Sequence, residues 1–396
     1  MNIERLDDLG RGIGYLDGKI TFIPWTIPGD VVEVIVTENH KKYNVAKVKQ
    51  FIKYSEKRIQ PPCPYFTKCG GCTLQNLAYN DTLEYKVKKI KNIFKKNKID
   101  INLEIIANSN PYNYRNKISL KVINGKIGFF ENSTHQLVEI DGCIISNQAL
   151  NKCIPLIEKM NIINGSITIR CNQNEEILII IESQDNLKID IDSLKKEIKL
   201  VGIIINDKTF YGENYLFERI NNVLFKISYD SFFQVNSSVA SKLFQIVKDN
   251  ISLNDKVLDL YCGVGTLSLM AAANAKSVVG IEIVPNAILN AIFNASINSV
   301  DNTCFVLNDV SEAVSKISLD FDKVIVDPPR RGLTKEAIEV LLKIRPEKII
   351  YVSCDPQTLV RDCKLLSENY DIEKSYILDM FSYTYHVETV LILKKR

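Results

Sequence analysis

A chain of 396 residues, 46% of them hydrophobic, is long enough for two or three domains with cores of their own, which excludes a disordered or fibrous protein. The net charge is only +3, yet residues 1–100 carry 18 Lys and Arg against 11 Asp and Glu, so the basic excess lies at the N-terminal end, where it suits a phosphate-bearing partner as well as a solvated face. No run approaches the ~20 apolar residues of a membrane span, and Met1 to Gly10 holds Glu4, Arg5, Asp7 and Asp8 instead of an apolar leader, so a cytoplasmic monomer without membrane partners is expected.

Residues 1–52 alternate short β-rich runs with turn signals. Gly10 to Tyr15, Lys19 to Ile23 and Asp30 to Val36 are separated by Asp17-Gly18 and Pro28-Gly29, the pattern of a small β-barrel, an architecture that often binds oligonucleotides. Gly10-Arg11-Gly12-Ile13-Gly14 and Ile27-Pro28-Gly29-Asp30-Val31-Val32 resemble the two most recognisable pieces of the TRAM domain, an RNA-binding barrel of RNA-modifying enzymes. A structural cap is the alternative use of such a barrel.

Next come Cys63, Cys69 and Cys72, spaced C-x5-C-x2-C around Gly70 and Gly71, with Cys143 following much later. The chain has ten cysteines, and in a reducing compartment they point to metal or catalytic use rather than a disulfide framework. Zinc and an iron–sulfur cluster both accept four thiolates. The three-plus-one grouping fits a cubane cluster better than the paired C-x-x-C of zinc ribbons, and the radical-SAM spacing C-x3-C-x2-C is absent.

Leu83 to Lys98 reads as an amphipathic helix, with Val87, Ile90 and Phe94 on one face and Lys86, Lys88, Lys89, Lys91, Lys95 and Lys96 around the other. Those lysines are expected in solvent, where they could also track a phosphate backbone. Residues from about 105 to 225 are mostly β, with strands expected at Lys117 to Val122, Ser166 to Cys171, Glu176 to Glu182 and Leu200 to Asn206. Pro111 to Lys117 interleaves Tyr112 and Tyr114 with Arg115 and Lys117, a combination that stacks bases and neutralises phosphates.

From residue 228 the pattern turns regular. Strands are expected at Lys256 to Leu260, Ser277 to Glu282, Cys304 to Leu307, Lys323 to Val326 and Lys348 to Val352, with helices between them, which predicts a doubly wound parallel sheet. Ile372 to Ile377 and Val387 to Leu393 then suggest a closing antiparallel hairpin.

The chemistry falls at the ends of those strands, where open α/β sheets bind ligands. Tyr261-Cys262-Gly263-Val264-Gly265-Thr266 is a G-x-G turn without the third glycine of a dinucleotide fingerprint, and Glu282 ends the following strand, placed to accept ribose hydroxyls. S-adenosylmethionine has that ribose and no pyrophosphate; a dinucleotide is the rival ligand. Asp327-Pro328-Pro329-Arg330 resembles the turn of amino-methylating enzymes, except that Arg330 stands where they place an aromatic. Cys354, in Ser353-Cys354-Asp355-Pro356, supplies instead a nucleophile suited to carbon methylation, because C5 of a pyrimidine becomes reactive only after addition at C6.

Ser231-Phe232-Phe233-Gln234-Val235-Asn236, the Tyr261 turn, Asp327-Pro328-Pro329-Arg330, Ser353-Cys354-Asp355-Pro356 and His386-Val387-Glu388-Thr389-Val390 together resemble the RNA uracil-C5 methyltransferase family, in family order. The resemblance implies Cys354 as nucleophile and Glu388 as general base. It implies Gln234, Tyr261, Glu282 and Asp327 as S-adenosylmethionine-binding positions, and Cys63, Cys69, Cys72 and Cys143 as ligands of a [4Fe-4S] cluster. Cluster and TRAM domain together resemble the branch that acts on 23S ribosomal RNA, since the transfer-RNA branch typically lacks both. Thr266 departs from the Asn that several members carry. The expected architecture is a multidomain α/β chain: a TRAM-like or OB-like barrel over 1–52, a mixed α+β domain with cluster and RNA surface over 53–227, and a doubly wound class I methyltransferase domain over 228–396.

Overall fold

The computed structural model describes residues 1–132, 134–313 and 320–396. The N-terminal barrel consists of β1 (Arg5–Leu6), β2 (Gly12–Leu16), β3 (Lys19–Ile23), β4 (Val31–Asn39) and β5 (Tyr43–Lys53), in the order β1-β2-β3-β5-β4. Gly12 is required by close packing: a Cβ there would stand 2.0 Å from Thr26 Oγ1. The fully buried Asp30 ties the barrel to the segment after β5. Its carboxylate accepts from Ile27 N at 2.8 Å, Ser55 N at 2.9 Å and the Arg58 guanidinium at 2.5 Å.

Helix α1 (Tyr79–Lys96) and strand β6 (Leu103–Ile106) come next. The central sheet then runs through β7 (Lys117–Ile123), β8 (Lys126–Phe130), β9 (Leu137–Glu139), β10 (Gly165–Cys171), β11 (Glu176–Glu182), β12 (Lys199–Ile205) and β13 (Lys208–Gly212). Its order is β13-β12-β11-β10-β7-β8-β9, with α2 (Gln148–Ile157) and α3 (Ile191–Glu197) packed against Ile118, Leu120, Ile167 and Ile179. The hairpin β14 (Tyr215–Ile220) and β15 (Val223–Ser228) leads to the last unit.

That unit contains α4 (Ser237–Asp249), β16 (Lys256–Leu260), α5 (Thr266–Ala272), β17 (Ser277–Glu282), α6 (Pro285–Ile297), β18 (Thr303–Leu307), α7 (Val310–Ala313) and β19 (Lys323–Val326). It ends with α8 (Lys335–Ile344), β20 (Lys348–Ser353), α9 (Pro356–Leu366), β21 (Tyr370–Leu378) and β22 (Glu388–Lys395). The sheet order is β18-β17-β16-β19-β20-β22-β21-β6. The first five are parallel, and β22 lies antiparallel between β20 and β21, as the closing hairpin predicts. Side chains alternate between two cores. Val257, Ile325, Ile350 and Val352 pack with α4 and α5, whereas Leu258, Val324, Ile349 and Tyr351 pack with α8 and α9.

Two features differ from the sequence expectation. Strand β6 pairs in parallel with β21 through Leu103–Ser375, so residues before 227 complete the C-terminal sheet. Helix α1 joins the same core through Ile90, Ile93 and Phe94, and it buries Lys86 completely and Lys89 nearly so. The charge on those two lysines is met by partners across the helix interface, so only Lys88, Lys91, Lys95 and Lys96 stay exposed.

Candidate active site

Ile349 to Ser353 of β20 are buried, and Cys354 follows them in a turn fixed from both sides. Ser353 Oγ accepts from Asp355 N at 3.2 Å, and the Asp355 carboxylate caps α9 by accepting from Gln357 N at 2.9 Å and Thr358 N at 3.2 Å. The last rung between β20 and β22 pairs Ser353 with Thr389, so Cys354 and Glu388 are the next residues along that ladder. Burial first, then the charges of Glu388 and Asp327, push the Cys354 thiol up to about 11, and Arg330 opposes them. Glu388 is 4% exposed, and burial followed by the Asp327 charge holds its carboxyl well above the usual carboxylate range. Desolvation also pushes Asp327 up to about 7. A thiol, two carboxyls and a guanidinium therefore share one site. Asp362 braces it, accepting from Tyr351 Oη at 2.6 Å and Leu333 N at 2.8 Å.

The glycine turn lies at the same edge of the sheet. Tyr261 (φ 68°) starts it in the left-handed region, and Gly265 (φ 83°) precedes α5. Glu282 is fixed by backbone donors: Gly263 N at 3.1 Å, Ile283 N at 2.8 Å and Val284 N at 2.9 Å. Gln234 is buried in the segment before α4, where its carbonyl accepts from Asn116 Nδ2 at 3.1 Å. Its side chain makes no hydrogen bond to Tyr261, Glu282 or Asp327 among the described residues.

Three site residues had no role in the sequence reading. Asp259 is fully buried and bonded to Ser268 Oγ at 2.5 Å, with its other oxygen unpartnered. Burial pushes it up to about 7, with Ser268 opposing and Asp327 and Glu282 adding. Phe232 is 72% exposed, two positions from Gln234. His386 is lowered to about 4 by burial and by Arg330, Lys89, Lys86 and Arg115, so it is neutral at pH 7. Asp259 lies inside the quoted strand, Phe232 is the apolar residue of its motif that stays outside the core, and His386 opens a motif read for its glutamate.

Cys63, Cys69, Cys72 and Cys143 line one cavity of about 620 Å³ with Arg115, Lys117 and Phe130. Burial raises the first three thiols, Cys72 to about 12, and the charge of Cys143 raises each further. All four are free cysteines. Among the described residues, no three Cys, His, Asp or Glu side chains form a group that could hold a metal ion. Burial, together with Arg170 and Arg115, lowers Lys117 to about 8.

A doubly wound sheet with a glycine turn, an acidic residue ending the next strand and a cysteine–carboxylate site defines a class I methyltransferase. The chain belongs to the tRNA (uracil-5-)-methyltransferase family, which it matches over residues 78–396, and residues 2–49 match the TRAM domain. It is 34% identical to an uncharacterized RNA methyltransferase of Clostridium acetobutylicum, over 99% of this chain and 96% of that one. A Listeria innocua protein of the same description is 32% identical, again over 99% and 96%. The crystal structure of Pyrococcus abyssi tRNA (uracil-54, C5)-methyltransferase with S-adenosyl-L-homocysteine superposes with a TM-score of 0.80 and 29% identity, over 99% of both chains. That enzyme acts on transfer RNA and matches the full length here, barrel and cysteine segment included, so the three-part layout does not by itself separate ribosomal from transfer RNA.

Proposed function

We propose that this methyltransferase modifies C5 of a uridine in RNA through a covalent Cys354 adduct, using S-adenosylmethionine. The observation that carries the reading is the meeting of Cys354, Glu388 and Asp327 at the sheet edge that also holds the glycine turn and Glu282. The donor supplies an electrophilic methyl group on a sulfonium. Glu282, held by three backbone N–H groups, keeps acceptor capacity for ribose hydroxyls. Tyr261, Gln234 and Asp327 complete the donor positions.

The uridine leaves its stack to reach the site. Cys354 loses its thiol proton to water, its Sγ bonds to C6, and the C5–C6 π electrons move onto C5 and O4. C5 then bonds to the methyl carbon as the carbon–sulfur bond of the donor breaks. Glu388, ionised, removes the C5 proton; those electrons restore the double bond and expel the thiolate. Two adjacent desolvated carboxyls do not readily ionise together, so Asp327 and Glu388 behave as a pair that holds one proton and can take another.

The four cysteines are read as ligands of a [4Fe-4S] cluster with a structural role. Four thiols around one cavity suit it, and Arg115 and Lys117 in the wall offset thiolate charge. Ribosomal RNA of the large subunit is the first substrate reading, and the Pyrococcus abyssi enzyme supports transfer RNA as the second. A monomer in the cytoplasm belongs to the same reading. Unmodified 23S ribosomal RNA and transfer RNA, incubated with enzyme and labelled donor and mapped by mass spectrometry, test it. 5-Methyluridine in one of them is expected, and label at a base nitrogen or in neither RNA would overturn it.

A further inference from the structure

The loop joining β21 to β22, Asp379 to Val387, ends one residue before Glu388, and much of its anchorage comes from outside the strands it joins. Asp379 and Lys86 of α1 are both fully buried. Lys86 Nζ donates to Asp379 Oδ1 at 2.5 Å and to the Phe381 carbonyl at 2.9 Å. Tyr79 Oη and Ser382 Oγ each donate to Asp379 Oδ2 at 2.6 Å. Further along, Lys89 Nζ donates to the Tyr385 carbonyl at 2.9 Å. From the cysteine segment, Thr73 N and Leu74 N donate to the Tyr383 carbonyl at 3.1 and 3.0 Å.

A buried ion pair is a poor way to stabilise a fold, because desolvating both charges offsets most of their attraction and a well-packed apolar pair does as well. What an apolar pair cannot do is bind a carboxylate and a loop carbonyl at once. One ammonium with three donors does both. We propose that Lys86 is a positioning residue for Glu388: by fixing Asp379 and the Phe381 carbonyl it sets where β22 begins, and hence where the carboxylate stands relative to the C5 proton. The inference rests on the reading of Glu388 as the base. Burial lowers the Lys86 ammonium while Asp379 opposes that shift.

Because Glu388 acts after methyl transfer, its misplacement has a signature that general loosening lacks. Lys86→Met alone leaves Asp379 buried without its cation, so the test uses the double variant Lys86→Met with Asp379→Asn, which is neutral on both sides. With full-length enzyme and the RNA substrate, turnover is expected to fall by roughly 10²-fold, the order of loss for a slightly misplaced group. Affinity for S-adenosylhomocysteine should hold, and covalent RNA–protein adduct should accumulate on denaturing gels. Parental turnover in the folded double variant, or lost turnover without adduct, would overturn the proposal. Glu388→Gln run in parallel separates the two layers: if it traps no adduct, the reading of Glu388 fails; if it traps adduct and the double variant does not, only the role of Lys86 fails.

Discussion

Cys354 rests as a thiol at neutral pH, since its pKa lies near 11, and only about a few per cent of even an ordinary thiol is ionised there. Its neighbours act with opposite signs. Glu388→Gln removes a negative charge and should lower the apparent pKa for alkylation of Cys354, whereas Arg330→Ala should raise it; iodoacetamide labelling of the Cys354 peptide against pH, read by mass spectrometry, checks both. Methyl transfer in a single turnover should quicken as pH rises from neutral toward the Cys354 value, because the thiolate fraction grows over that range. A rate that falls over that range would contradict a thiolate nucleophile. Cys354→Ala should abolish turnover and leave donor affinity and the unfolding temperature nearly unchanged, because the side chain projects from a turn held by Ser353 and Asp355. Cys354 was legible because a nucleophile at a strand end has a local pattern. Asp259 was not, since an acid inside an apolar run shows its burial only when the sheet is assembled.

Single elements owe their placement to a few buried polar groups. Asp30 holds the end of the barrel through Ile27, Ser55 and Arg58, so Asp30→Ala leaves a guanidinium half-satisfied and should cost about 3 kcal/mol, as broken buried pairs do. Chemical denaturation of the full chain, with RNA affinity in parallel, would measure it; a loss within experimental error would mean that the barrel does not depend on that carboxylate. The parallel strands were plain in the sequence because buried runs such as Lys323 to Val326 and Lys348 to Ser353 are bounded by turn residues. Helix α1 was half legible. Its apolar spacing marked the helix and its buried face, but periodicity cannot say that Lys86 and Lys89 point at the loop that leads into Glu388, because their partners lie more than 290 residues later.

Across the whole molecule, the cysteine cavity joins segments far apart in sequence. It is lined by Cys63 to Cys72, by Cys143 and by Phe232 and Phe233 next to Gln234. Protein purified without air should therefore carry about four irons per chain, and Cys143→Ser should lower iron content and RNA affinity more than donor affinity. Zinc under those conditions would refute the cluster. Strand β6 went unread for a related reason: Leu103 to Ile106 is too short to announce a partner, and that partner, β21, lies at the other end of the chain. The family match beginning at residue 78 takes in α1 and β6. Synthesis runs in one direction, so α1 and β6 emerge early, while Ser375, which binds the Asn102 carbonyl across 273 positions, comes almost last. Until β21 is made, β6 has no neighbour in the sheet. The growing chain must keep that unpaired strand edge from other molecules, an interval in which a holding chaperone has an obvious purpose. A fragment starting at residue 228, which lacks α1 and β6, should be less soluble than one starting at 78; equal solubility on expression of the two would contradict this.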